Sequence, residues 1–155
     1  MSINWIHIAT VRVRGHPVPQ NRPRVYRHGG VMSSSPTVKT WRDVVALEMM
    51  AAKATRYPPL TLPLTGPVRV DLRFMFARPK RDKRKETSLH DRRPDRDNLD
   101  KVILDCLEKC RWVESDAQVV GSIYKWWLPA GDTEEGVQID VYRLAEPGEV
   151  SLASR

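Results

Sequence analysis

The chain has 155 residues, 41% of them hydrophobic and 29% charged, with a formal net charge of +7 and an isoelectric point near 9.7. A chain of this length buries roughly 70% of its unfolded surface, so it needs no covalent staple, and residues 1–145 are expected to form one domain with a frayed tail over 146–155. No run approaches the ~18 apolar residues a membrane-spanning helix needs, so no such span is expected. The positive excess favours a polyanionic partner, nucleic acid before an acidic membrane surface, over surplus charge that only keeps the protein dissolved.

Trp5 to Arg14 reads as a strand. Ile6 and Ile8 share one phase and Val11 and Val13 the other, and the slip near Ala9 and Thr10 suggests a bulge. With His7 and Arg12 inside this stretch and no cleavage-type site, it does not read as a signal peptide, and a cytoplasmic location is expected. Gly15 to Gly30, GHPVPQNRPRVYRHGG, holds three prolines and three glycines and reads as a basic loop carrying Arg22 and Arg24. Ser35-Pro36-Thr37 can start a helix running to about Ala54, with Trp41, Val44, Val45 and Ala52 toward the core. Arg56 to Pro67 breaks it. Val68 to Phe76 alternates apolar residues with Arg69, Asp71, Arg73 and Met75, a clear strand. Arg78 to Lys85, RPKRDKRK, carries six bases and one acid and is expected to be a mobile loop.

A helix follows from about Asp97 to Cys110, with Leu99, Val102, Ile103, Cys106, Leu107 and Cys110 forming its core stripe. Cys106 and Cys110 are expected to be buried free thiols, since neither a disulfide framework nor metal-ligand spacing accompanies them. Gln118 to Trp127 and Gly136 to Leu144 read as strands, with Trp126 and Trp127 on opposite faces. Helices and strands mix without regular βαβ alternation, so the fold class expected is α+β, a small mixed sheet packed with two main helices.

The chemistry concentrates where that second helix begins. Asp95 and Asp97 are two apart, so in an extended segment their side chains point the same way. Asp97, Lys101 and Asp105 lie together on the polar side of the helix. A helix that ends near Cys110 and reverses can return Asp116 toward Asp97. Three carboxylates repel one another unless a cation compensates, and Mg²⁺ takes hard oxygen ligands together with water and phosphate oxygens. Lys101 could stabilise charge on a phosphate under attack. The plainer alternative is that Asp95 and Asp97 cap the helix and complement its dipole, Lys101 and Asp105 form a surface pair, and Asp116 is an ordinary loop acid.

Arg93 to Val120, RPDRDNLDKVILDCLEKCRWVESDAQVV, resembles the RusA family of Holliday junction resolvases. The family pattern is roughly P-D-x-D-N-L-x-K-x-x-x-D-x-L, a short spacer, an aromatic, and an acidic pair followed by x-Q-V. Upstream, GHPVPQNRPRVY is similar to the family's G-x-P-x-P-(x)-x-R-P-R segment, and Trp41 fits its early helix tryptophan. The resemblance runs from Gly15 to about Val141. It implies a small homodimer, often of phage or prophage origin, that cuts four-way junction DNA by paired symmetric incisions with Mg²⁺ or Mn²⁺, in recombination and repair. It places the metal-binding aspartates on Asp95, Asp97 and Asp116, the catalytic lysine on Lys101, and a supporting acid on Asp105. One departure bears on metal affinity: the family's usual Asp-Asp pair reads Ser115-Asp116 here, with Glu114 one place early.

A four-way junction has approximate two-fold symmetry, which a closed C2 dimer matches, and Leu104 on the polar side of the helix either serves that contact or tucks under a loop. Phosphate contacts are expected from Arg22, Arg24, the Arg78–Lys85 loop (Lys80, Arg81, Lys83, Arg84 and Lys85), and Arg92, Arg93 and Arg96, with Tyr26 as a candidate stacking residue. Two rival readings stay open: a module that binds branched DNA without cutting it, and a metal-dependent nuclease acting on flaps, forks or RNA.

Overall fold

A computed structural model describes residues 3–20, 36–56 and 59–149. Strand β1 spans Trp5–Arg14 and pairs antiparallel with β6, Gly136–Leu144, with a register shift between His7 and Ala9. The extra residue lets Ile8 and Val11, out of phase in a regular strand, both enter the core. The bulge falls one residue earlier than the hydrophobic pattern suggests.

Helix α1 spans Pro36–Thr55, starting on the proline whose fixed φ suits a first helical position. Val38, Trp41, Val45 and Met49 face inward at three- and four-residue steps. Val44 does not join them. It sits about 100° around the helix from Val45 and is 36% exposed, while Met49, which the sequence reading left out, is fully buried.

Strand β2, Val68–Phe76, is the hub of the sheet. It pairs antiparallel with β6 on one side and parallel with β4 (Val119–Val120) and β5 (Ile123–Trp127) on the other. The short β3, Ser88–Leu89, closes the order β1-β6-β2-β5-β3. The sequence suggests one strand from Gln118 to Trp127, but the structure divides it at Gly121. There φ is +151°, and a Cβ would lie 1.9 Å from the Val70 carbonyl oxygen, so only glycine fits. The Asp71 carboxylate fills the break, accepting from the Ser122 N–H at 3.1 Å and its hydroxyl at 2.8 Å.

Helix α2, Arg96–Lys109, buries the expected stripe of Leu99, Val102, Ile103, Cys106 and Leu107 against the same core, each large apolar side chain contributing about 1.5–3 kcal/mol. Cys106 and Cys110 are free and buried, and burial pushes the Cys106 thiol up to about 12. Leu104 packs against the core and so offers no argument for a second copy. Both helices lie over the face carrying Val68, Val70, Leu72, Phe74 and Phe76. Among the described residues no helix is long and apolar enough to cross a membrane.

Two segments expected to be mobile make specific side-chain contacts in the described residues. In the Arg78–Lys85 loop the Arg78 side chain is buried and binds Asp82 at 3.1 Å, the Glu86 carbonyl at 2.6 Å and the Ser88 hydroxyl at 2.7 Å. Asp82 also accepts from Arg84 at 2.8 Å, and these cations hold its carboxyl well below the usual range. The one acid in the run thus organises it. At the other end of the chain, Glu149 takes both guanidinium nitrogens of Arg143, at 2.7 and 2.5 Å, so residues 146–149 are tied down. The rest of the expected tail lies outside the described residues.

Candidate active site at the mouth of the second helix

Asp95 is the residue from which α2 departs. Its backbone is extended, with φ −70° and ψ 141°, and its carboxylate makes no capping hydrogen bond to the helix. Capping therefore does not account for this acid. Asp97 lies in the first turn, where the positive end of the helix dipole favours a carboxylate. Both side chains are exposed, as are Arg93, Arg96 and, one turn further on, Lys101. Asp100 is half-buried one step from them, and burial, followed by the neighbouring Asp97 charge, raises its carboxyl above the ordinary value against the pull of Arg96. Asp105 sits 3.9 Å from Arg42, which also donates to Gln20 at 2.9 Å.

Asp116 is elsewhere. Its N–H lies 3.4 Å from the Glu108 carboxylate, eleven residues beyond Asp97 and so about 16 Å further along the axis. The reversal after α2 explains this placement. Arg111 adopts a left-handed φ of 61°, and the Trp112 N–H turns back to the Leu107 carbonyl at 2.9 Å, a Schellman-type closure. The chain then reaches β4 beside Val68, at the start of β2, whereas the Asp95 end lies by Lys125, opposite Phe74. Among the described residues, no three carboxylate, imidazole or thiol groups converge to hold an ion. The expected return of Asp116 toward Asp97 does not occur within one chain.

Ser115, where the family usually has an acid, caps the short 3-10 turn Asp116–Gln118. Its hydroxyl accepts from the Ala117 N–H at 3.2 Å, and the Gln118 side chain accepts from the Ser115 N–H at 3.0 Å. Serine is a strong capping residue, and here it holds the turn on which Asp116 sits.

The basic loop meets the acid segment in space as well as in sequence. Arg81, Asp82 and Arg84 share a recess of about 90 Å³ with Asp91, Arg92 and Trp127. Lys80, Arg81, Lys83, Arg84 and Lys85 are all exposed. Arg84 is engaged with Asp82, and Lys85 donates to the Ala130 carbonyl at 3.2 Å. Arg22, Arg24 and Tyr26 lie outside the described residues.

The family model described as endodeoxyribonuclease RusA matches residues 14–142, most of the chain. The chain belongs to the RusA family. A search of curated proteins finds no match. RusA family membership makes this an endodeoxyribonuclease fold of a class that acts on Holliday junctions, and the match covers Asp95, Asp97, Asp105 and Asp116. Two residues beside the RusA motif escaped the sequence reading. His90 is buried, stacked on Trp127 with ring centroids 3.9 Å apart, and its Nδ1 accepts from the Arg92 N–H at 3.2 Å. Lys125 reaches the segment from β5. The legible signal was its phase, since in Ile123-Tyr124-Lys125-Trp126-Trp127 it shares a face with Ile123 and Trp127.

Proposed function

We propose that the protein is a homodimer that resolves four-way DNA junctions by paired, symmetric, Mg²⁺-dependent cuts, Mn²⁺ serving as well, in recombination and repair. The observation that carries this reading is the Asp95 carboxylate, unspent on the helix it precedes and exposed beside Asp97, within the span that matches the RusA model. These are hard oxygen donors of the kind a small divalent cation takes. When bound, such an ion supplies an activated water and charge neutralisation at the phosphate. Asp95 and Asp97 would hold it at the helix mouth. Lys101, on the same side one turn on, would place its ammonium against the scissile phosphate. Lys80, Arg81, Lys83, Arg93 and Arg96 would bind the flanking backbone, where cation–phosphate contact dominates affinity.

Asp116 enters this reading through symmetry. It lies at the far end of α2 from Asp97 in its own chain. In a two-fold dimer whose α2 helices run antiparallel across the axis, each far end stands beside the partner's near end. The third carboxylate would then come from the second copy, and the enzyme would be inactive as a monomer. Two cuts and two shared sites follow from one symmetry operation.

The test is complementation. Asp97→Asn and Asp116→Asn homodimers should each lose more cleavage of a synthetic junction than the ~10–100-fold cost of an outer-shell partner, while still binding it. Co-expressed as a mixed dimer, the two variants should regain one intact site and nick a single strand. A silent mixture would sink the shared site, and normal cutting by Asp97→Asn would sink the nuclease assignment to these acids. Flaps, forks and RNA at equal concentration identify the preferred substrate.

A further inference from the structure

Lys125 stands opposite Phe74 in the β2–β5 ladder, so its side chain leaves the sheet on the face occupied by Leu72, Phe74, Phe76, Ile123 and Trp127. That position costs the ammonium hydration. It also sets a cation at the N-terminal end of α2, against the helix dipole. Burial correspondingly lowers its pKa, opposed by the charges of Asp95 and Asp91. Neither core packing nor helix polarity accounts for a lysine here.

Its contacts do. Nζ donates to the Arg92 carbonyl at 2.6 Å and to the Pro94 carbonyl at 2.8 Å, three residues and one residue before Asp95. The Lys125 main-chain carbonyl accepts from the His90 N–H at 2.9 Å, and the His90 ring accepts from the Arg92 N–H. The chain from His90 to Pro94 is thus tied to β5 by its own backbone and by one ammonium. Charge-assisted bonds of this kind are roughly twice as strong as neutral ones. A side chain that fixes the carbonyl of residue 94 also fixes the direction in which residue 95 leaves.

We infer that Lys125 is a positioning residue for the nuclease site: by bridging the Arg92 and Pro94 carbonyls it sets where the Asp95 and Asp97 carboxylates stand, and its charge offsets part of their repulsion before a cation arrives. This rests on the metal-binding reading of those acids. It makes Lys125 distinct from Lys101, which faces solvent on the helix and is placed against substrate. Outer-shell groups that orient metal ligands act in this way without touching the reacting atoms.

The experiment compares wild type, Lys125→Met and Lys125→Arg as full-length, metal-free protein. Mn²⁺ uptake by calorimetry should weaken about tenfold or more in Lys125→Met. Amide hydrogen exchange should quicken about tenfold over Asp95–Leu99 while the β1–β6 ladder stays protected, since local opening is governed by local bonds. Lys125→Arg keeps the charge and the donors and should fall between the other two on both measures. Unchanged Mn²⁺ affinity in Lys125→Met would overturn the inference. So would faster exchange across the whole sheet, which would mark a general prop, or an arginine variant that tracks methionine. If wild type takes up no Mn²⁺, the metal reading falls, and the exchange comparison alone still decides whether Lys125 positions this segment.

Discussion

The two ends of α2 differ in how much of their closure is local. At the C-terminal end the chain closes on itself: Arg111 turns left-handed, Trp112 reaches back to Leu107, and Ser115 and Gln118 cap the next turn reciprocally. The reversal itself is made by local backbone and neighbouring side chains, and distant groups add to it: Lys53 of α1 donates to the Cys110 carbonyl at 3.2 Å, and the Gln118 amide to the Leu64 and Gly66 carbonyls at 3.0 and 2.9 Å. At the N-terminal end the cap residue makes no side-chain bond to the helix, and the entering segment is held from outside by Lys125 and His90 on or against β5. Because the Asp95 side chain does not cap the helix it precedes, restraint of this end comes from other elements. An end that only has to reverse the chain can make the turn itself from its own backbone. Asp116 rides on the locally closed end, about a helix length from the acids it would join.

The largest effect that tests this contrast concerns DNA. If the N-terminal end is where phosphate arrives, the exposed cations beside it carry the affinity. Lys80, Arg81 and Lys83 changed together to Ala should weaken junction binding at every salt concentration. The slope of log affinity against log salt should flatten by about two to three, near 0.9 per phosphate contact on duplex arms. Arg84→Ala should flatten it less, because Asp82 already engages that guanidinium at 2.8 Å. Filter binding or anisotropy across a salt series measures both. An unchanged slope in the triple variant would remove the loop from the DNA path, and an equal effect from Arg84 would mean that Asp82 releases it on binding.

A middle-sized effect tests the outside restraint through pH. Burial, and then the charge of Lys125, lowers the His90 pKa below its ordinary 6.5. The folded state therefore prefers the neutral ring. The stability this provides is full above the unfolded pKa of about 6.5 and is lost as pH falls below it toward the folded value. His90→Phe keeps the stack on Trp127 but removes both the titration and the acceptor for the Arg92 N–H. At pH 7.5 the variant should be less stable by about 1 kcal/mol, the net worth of one hydrogen bond. Acidification to pH 5.5 should narrow that gap in urea unfolding curves. A gap that widens instead would show a ring that is charged in the fold.

How legible these features were depends on the range of the interaction behind them. The α2 stripe and the β2 alternation were visible because each depends on a local period and one shared core. The bulge in β1 announced itself as a broken phase. Val44 was misplaced and Met49 missed because two flanks of a helix differ by a rotation that only the neighbouring elements decide. The loop's order was hidden because Asp82 reads as one acid among six bases, and its worth comes from folding the chain so that Arg78 and Arg84 both reach it. The candidate site was legible as a motif, but its assembly was not. Nothing local states that α2 separates Asp97 from Asp116, that Ser115 is a competent cap, or that a lysine two strands from β6 holds the acid segment.

The smallest effect tests the locally closed end. Arg111 takes a φ of 61°, a conformation that costs a residue with a Cβ about 1–2 kcal/mol. Glycine removes that cost and adds about 0.5–1 kcal/mol of unfolded-chain entropy to be overcome. Arg111→Gly should therefore stabilise the protein by about 0.5–1 kcal/mol, since the Trp112 bond to Leu107 and the buried Trp112 ring are untouched. The sign carries the argument. A gain means that the closure lives in the backbone and the arginine is incidental to it. A loss means that the guanidinium itself secures the turn, and the two ends of α2 would then share one strategy instead of dividing the work.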